Sequence, residues 1–127
     1  MYKILIVDDS KTLRTELKDC YEKDGYHVIE ADSSIEGIKQ ALANEDVHLV
    51  ITDYNLGGEN GIQFTSKLKS FSQFKHVPIL MLTTEYDLEL KAQGKAAGLS
   101  GWINKPYSHE NIAPVAIKLI EQSLKAK

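Results

Sequence analysis

The sequence predicts an α/β protein, a (βα)₅ doubly wound sheet of five parallel strands with helices on both faces. Two observations carry this. Five short, continuous apolar runs, each bounded by polar or turn residues, alternate with segments whose apolar residues recur at helical spacing. Three of the runs also end in ionisable residues, at Val7-Asp8-Asp9, Thr52-Asp53-Tyr54 and Asn104-Lys105-Pro106. Continuous apolar runs are how strands buried on both faces read, and ligands of open α/β sheets sit beyond the carboxyl ends of the strands. Pattern and chemistry therefore point to the same edge.

The first strand is expected over Ile4–Val7, followed by Ser10 as the cap of a helix with Leu13, Leu17, Cys20 and Tyr21 on its apolar face. Gly25 stands past the end of that helix. The second strand is Val28–Ala31; Asp32 or Ser33 then caps a helix whose apolar face reads as Ile35, Ile38 and Leu42. The third is Leu49–Thr52, ended by Asp53 and a loop rich in glycine, Gly57-Gly58-Glu59-Asn60-Gly61, in which Asn60 caps a helix carrying Ile62, Phe64 and Leu68. The fourth is Val77–Leu82 with Thr83 at its end, before a helix marked by Leu88, Leu90 and Ala97 and stopped by Gly98. The fifth, Gly101–Asn104, leads through Lys105-Pro106 to a last helix with Ile112, Val115, Ile117, Leu119 and Leu124. If Ser108 caps that helix, Pro114 lies inside and kinks it; if the helix begins at Asn111, Pro114 falls harmlessly in the first turn. Short connections between alternating strands and helices imply right-handed crossovers.

At 127 residues the chain is expected to form one domain spanning 1–127, without an output domain. Fifteen basic against eighteen acidic residues give a net charge of −3, with no Lys/Arg block to grip nucleic acid or anionic lipid. Neither a signal sequence nor a membrane span is legible, so a cytoplasmic location is expected. Cys20, the only cysteine, reads as structural, and His27, His48, His76 and His109 read as surface or strand-edge residues.

Taken singly, Asp8-Asp9 are acids favoured at a helix N-terminus, Asp53 is a turn acid, Thr83 an ordinary strand residue and Lys105 a surface lysine before a proline. Together they say more. Strands one and three should be neighbours, which crowds three carboxylates unless a cation neutralises them, and oxygen ligands of this kind select Mg²⁺ or Mn²⁺. Lys105 on the same edge is a natural counter-ion for a phosphoryl oxygen, and the Thr83 hydroxyl could donate to that oxygen.

In this order, Asp8-Asp9, Asp53, Thr83 and Lys105-Pro106 resemble the receiver domain of two-component response regulators, in particular the single-domain CheY type, over essentially the whole chain. The resemblance implies the flavodoxin-like strand order 2-1-3-4-5, which comes with the family and not from the pattern. It implies Asp53 as phosphoacceptor and Mg²⁺ ligated by Asp9, Asp53 and the Asn55 backbone carbonyl, with Asp8 acting mainly through water. Thr83 and Lys105 would hold the phosphoryl group, and a cis peptide before Pro106 would aim Lys105 into the site. Trp102 occupies the place of the family's switch aromatic, coupled to Thr83, so that the output face is helix four, strand five and helix five.

Thr83-Thr84-Glu85, Gly94-Lys95-Ala96-Ala97-Gly98 and Gly101-Trp102-Ile103 resemble chemotaxis-type sequences, and polar Asn55 and acidic Glu85 go, in this family, with rapid self-dephosphorylation. The implied partners are a CheA-like histidine kinase and a downstream protein such as a flagellar motor switch protein or a phosphatase, met by a monomer that is not an enzyme in its own right. Three features depart from the family: Gly57-Gly58 where a Pro-containing loop is common, which should loosen that loop; Thr84 where a small residue is frequent; and Pro114. A receiver of a phosphorelay or stress pathway is the nearest alternative. An aspartate-nucleophile phosphohydrolase needs Asp-x-Asp after strand one, where this chain has Asp8-Asp9, and a flavodoxin-like cofactor binder needs a phosphate loop that these acids would repel.

Overall fold

The computed structural model describes residues 1–126. Its elements are β1 (Lys3–Val7), α1 (Lys11–Lys23), β2 (His27–Ala31), α2 (Ser34–Ala43), β3 (Leu49–Asp53), α3 (Gly61–Lys69), β4 (Ile79–Thr83), α4 (Leu88–Ala97), β5 (Gly101–Asn104) and α5 (His109–Ala126), with a short 3₁₀ turn at Ser72–Phe74. The strands form one parallel sheet in the order β2-β1-β3-β4-β5, the order the resemblance implies.

Successive side chains of a strand point to opposite faces, so each apolar run feeds two cores. Ile4 and Ile6 of β1 join Ile51, Leu80 and Leu82 under α1 and α5, against Leu17, Tyr21, Ile112, Ala116 and Ile120. Leu5 and Val7 join Val50 and Ile79 on the other face, against Phe64 and Leu68 of α3 and Ala41 of α2. The inner strands β3 and β4 are buried throughout, whereas β2 and β5 at the edges are only partly covered.

Ser10, Ser33 and Asn60 cap their helices through side-chain oxygens, Asn60 in a reciprocal capping box with Gln63. Asp87, which the pattern did not single out, caps α4. Gly25 and Gly98 follow helix ends with positive φ, as expected.

Three expectations are corrected and one alternative is decided. The core face of α2 is Ser34, Gly37 and Ala41, while Ile35 and Leu42 are exposed; Ile38, half-buried, packs against the core at its edge. The reason is close approach: a Cβ on Gly37 would lie 2.8 Å from Phe64 Cε1 and 3.1 Å from Val7 Cγ2, so only small residues fit the inner face. Gly37→Ala should therefore cost about 1–3 kcal/mol by overpacking, read as a lowered urea midpoint at unchanged slope. Next, β4 begins at Ile79 because Pro78 has no N–H for the ladder and Val77 closes the preceding turn onto the Phe74 carbonyl. Third, α5 starts at His109, with Asn111 and Ile112 both donating to the Ser108 carbonyl, so the first of the two readings holds: Pro114 lies inside the helix. The Glu110 carbonyl thereby loses the donor that Pro114 cannot supply, although the helix continues to Ala126. Its core residues are Ile112, Ala116 and Ile120, and Leu124 is exposed. Finally, the helical face read into α4 is shallow: Gly94 is its one buried residue, and Leu88 is 79% exposed. No helix among the described residues is long and apolar enough to cross a membrane.

Candidate functional site

Four strands deliver their carboxyl ends to one crevice. Val7 pairs with Thr52, Asp53 with Leu82 and Thr83 with Asn104, so Asp8, Asp53, Thr83 and Lys105 emerge side by side. Asp8, Asp9 and Asp53 each present a carboxylate oxygen within 4.8 Å of the others, a grouping able to hold a metal ion. Asp8 and Asp53 are buried and Asp9 is exposed. Lys105 Nζ lies 2.8 Å from Asp53 Oδ1, a pair whose side chains are 20% and 8% exposed. The peptide between Lys105 and Pro106 is cis, as the resemblance implies.

Asp8 is held from several sides. Its carboxylate accepts from the Ser10 N–H at 2.9 Å, its own N–H donates to the Ala31 carbonyl, and Arg14 donates to its carbonyl at 2.6 Å. Burial pushes its carboxyl up to about 6; the Ser10 N–H and Lys105 oppose the rise, and the charges of Asp53 and Asp9 add to it. A cation between the three acids would reverse that penalty, and an all-oxygen donor set of this charge suits a hard divalent ion.

Thr83 is buried, and its hydroxyl accepts the Glu85 N–H at 3.0 Å. Thr84 is exposed. Asn55 is exposed and bridges to Asn60, which closes the neck of the Gly57–Gly61 loop; the Gly61 N–H donates to the Tyr54 carbonyl at 2.7 Å. Trp102 is half-buried on β5, beside a cleft of about 360 Å³ that Leu88, Lys91, Ala92, Lys95 and Leu99 also line. The structure thus brings Asp8, Asp9, Asp53 and Lys105 together, sets Thr83 and Glu85 one strand over, and leaves Trp102 outside the crevice.

Three residues of the crevice went unassigned by sequence reasoning. Gly61 packs so tightly on the end of β3 that a Cβ there would meet the Asp53 carbonyl oxygen at 2.4 Å; a glycine directly after the cap, where helices prefer other residues, was the available signal. The Asn104 carboxamide donates to the Glu85 carbonyl at 2.5 Å and to the Thr83 carbonyl at 3.5 Å. The Tyr86 hydroxyl donates to the Lys105 carbonyl at 3.3 Å. None of these three bonds leaves a trace in spacing or periodicity.

Sheet order and crevice place the protein in the doubly wound α/β class that binds its ligand at the carboxyl edge of the sheet. Within that class the chain belongs to the response regulator receiver domain family, whose model matches residues 4–116, and so to the signalling proteins of two-component systems. It is similar to chemotaxis protein CheY1 of Helicobacter pylori, 37% identical over 107 residues that cover 84% of this chain and 86% of the relative. It is also similar to chemotaxis protein CheY-3 of Vibrio cholerae, 32% identical over 94% of this chain and 92% of that one. Among solved structures, Vibrio cholerae chemotaxis protein CheY4 superposes with a TM-score of 0.90 at 34% identity, over 94% of this chain and 98% of that one. A receiver domain protein of Clostridium thermocellum gives 0.92 at 25% identity over the full length of both.

Proposed function

We propose that the chain is a phosphoaccepting response regulator in which Asp53 takes a phosphoryl group from a phosphohistidine of a sensor kinase, in a chemotaxis pathway. The observation that carries this is the Asp53 carboxylate, buried between two other acids and an ammonium 2.8 Å away. Asp53 is the nucleophile: its oxygen bonds to phosphorus as the bond from phosphorus to the donor imidazole breaks, and the imidazole leaves. Lys105, already on Asp53, shifts to an oxygen of the transferred group, and Thr83 donates its hydroxyl to another. Asp9 and Asp53, with the Asn55 carbonyl, would hold Mg²⁺ (Mn²⁺ fits the same donors), with Asp8 acting mainly through water. Bound there, the ion supplies charge neutralisation for the loose transition state. Asn55 and Glu85 border the route of the water that later hydrolyses the acyl phosphate.

The signal is carried by a change of surface. Thr83 moves toward the phosphoryl group, the β4–α4 loop follows, and Trp102 changes its packing on the α4–β5–α5 face. The chemotaxis assignment rests on the names of the relatives. A sensor kinase of the CheA type as donor draws further support from Helicobacter pylori sensor histidine kinase CheAY, 26% identical over 121 residues that form 15% of that protein. A flagellar motor switch protein or a phosphatase is the downstream partner, engaged through the α4–β5–α5 face.

Mg²⁺ titration tests the site. Calorimetry reads it directly, since Trp102, the only tryptophan, lies outside the crevice. Asp9→Ala should weaken Mg²⁺ binding by at least about tenfold, because a carboxylate ligand is lost. Equal titrations for wild type and variant would sink the assignment.

A further inference from the structure

The β4–α4 loop, which carries Glu85 and leaves the sheet at Thr83, is tied to the end of β5 by side chains that the phosphoryl chemistry does not use. Asn104 ends β5 directly opposite Thr83 in the register. Its carboxamide nitrogen has two N–H groups, and both point at this loop: the Glu85 carbonyl at 2.5 Å and the Thr83 carbonyl at 3.5 Å. The other end of the Glu85 residue is held as well, since its N–H donates to the Thr83 hydroxyl at 3.0 Å. Glu85 is therefore pinned by its N–H to Thr83 and by its carbonyl to Asn104. Tyr86, 71% exposed, adds a strut by donating to the Lys105 carbonyl at 3.3 Å.

Resting on the reading that Thr83 moves toward a phosphoryl group on Asp53, we propose that Asn104 is a positioning residue that holds the β4–α4 loop in its unphosphorylated place and so sets how readily the chain switches. The Thr83 hydroxyl cannot travel without drawing on the Glu85 N–H, and Glu85 cannot follow without drawing on the Asn104 amide. Asn104 half-buries its donors at this position, where an apolar β-former would serve the strand equally well. The amide thus favours the resting arrangement. By linkage, whatever stabilises the resting arrangement weakens binding of a phosphoryl group or its mimic by the same factor.

The test is calorimetric titration of beryllofluoride at saturating Mg²⁺. Asn104→Val removes both donors and keeps a residue suited to the strand. One hydrogen bond's net worth then predicts binding about three- to tenfold tighter than wild type, with Mg²⁺ affinity unchanged because the three carboxylates are untouched. Damage to the fold would weaken both ligands instead. Asn104→Gln restores an amide that reaches the same carbonyls and should return affinity toward wild type. Beryllofluoride binding by Asn104→Val that equals or falls below wild type overturns the inference, as does Asn104→Gln binding as tightly as Asn104→Val. Failure of wild type itself to bind beryllofluoride would overturn the phosphoacceptor reading together with the inference, which separates the two.

Discussion

Asp53→Asn is expected to lose phosphorylation by acetyl phosphate by at least about a hundredfold while remaining folded. The substitution is isosteric, so the backbone of β3 and the bond that Lys105 makes to Oδ1 can persist. What it removes is the nucleophile, for a carboxamide oxygen does not displace a leaving group at phosphorus under these conditions. It also removes one of three mutually repelling charges, two of them buried, so stability in the absence of metal should hold or rise. Intact-mass measurement after incubation with acetyl phosphate and Mg²⁺ reads the first effect, and a thermal melt reads the second. Undiminished modification of the variant would place the acceptor elsewhere.

Gly61→Ala should damage the crevice without touching any charged group. A Cβ at this position would lie 2.4 Å from the Asp53 carbonyl oxygen, 3.0 Å from Met81 Sδ and 3.2 Å from the Asp53 carbonyl carbon. The sulfur can give way; the backbone of β3 cannot move without carrying Asp53 with it. The cost should be about 1–3 kcal/mol of stability together with weakened Mg²⁺ binding. Gly58→Ala is the matched control: nothing lies within 4 Å of its Cβ and its φ is not positive, so it should be close to neutral. Chemical denaturation and Mg²⁺ titration of the pair settle the matter, and a Gly61→Ala protein as stable and as Mg²⁺-avid as Gly58→Ala would refute the argument.

The sheet was legible because strands buried on both faces must be apolar throughout, and a run such as Leu49–Ile51 ending in Thr52-Asp53 marks both the strand and the place where it meets solvent. The candidate site was legible for a related reason: in a parallel sheet every strand's carboxyl end lies on one edge, so acids and a lysine at those ends must converge. Which face of α2 turns inward was not legible. Ile35, Ile38 and Leu42 share the spacing of Ser34, Gly37 and Ala41, one residue displaced; of the three only Ile38 packs against the core, and hydrophobicity misplaces Ile35 and Leu42 because it takes no account of how near two backbones come. The links from Asn104 and Tyr86 were hidden because a carboxamide or phenol bonded to a distant carbonyl looks, in one dimension, like any polar residue at a loop.

The shallow seat of α4 gives that helix a particular place in the molecule's energetics. A helix of ten residues is too short to persist alone in water, and this one buries no side chain against the sheet beyond the backbone surface at Gly94. It is held by its Asp87 cap, by the turn at Gly98 against Lys69 of α3, by packing along α3 and by the close approach of Gly94 to Leu99 and Trp102. Elements with little buried side chain open more readily than buried strands such as β3 and β4, so α4 belongs among the more easily displaced parts of the fold. A change of hydrogen bonding at its N-terminal loop therefore meets less resistance at α4 than it would at an element buried in the sheet, and an event at the sheet edge reaches the surface through this helix.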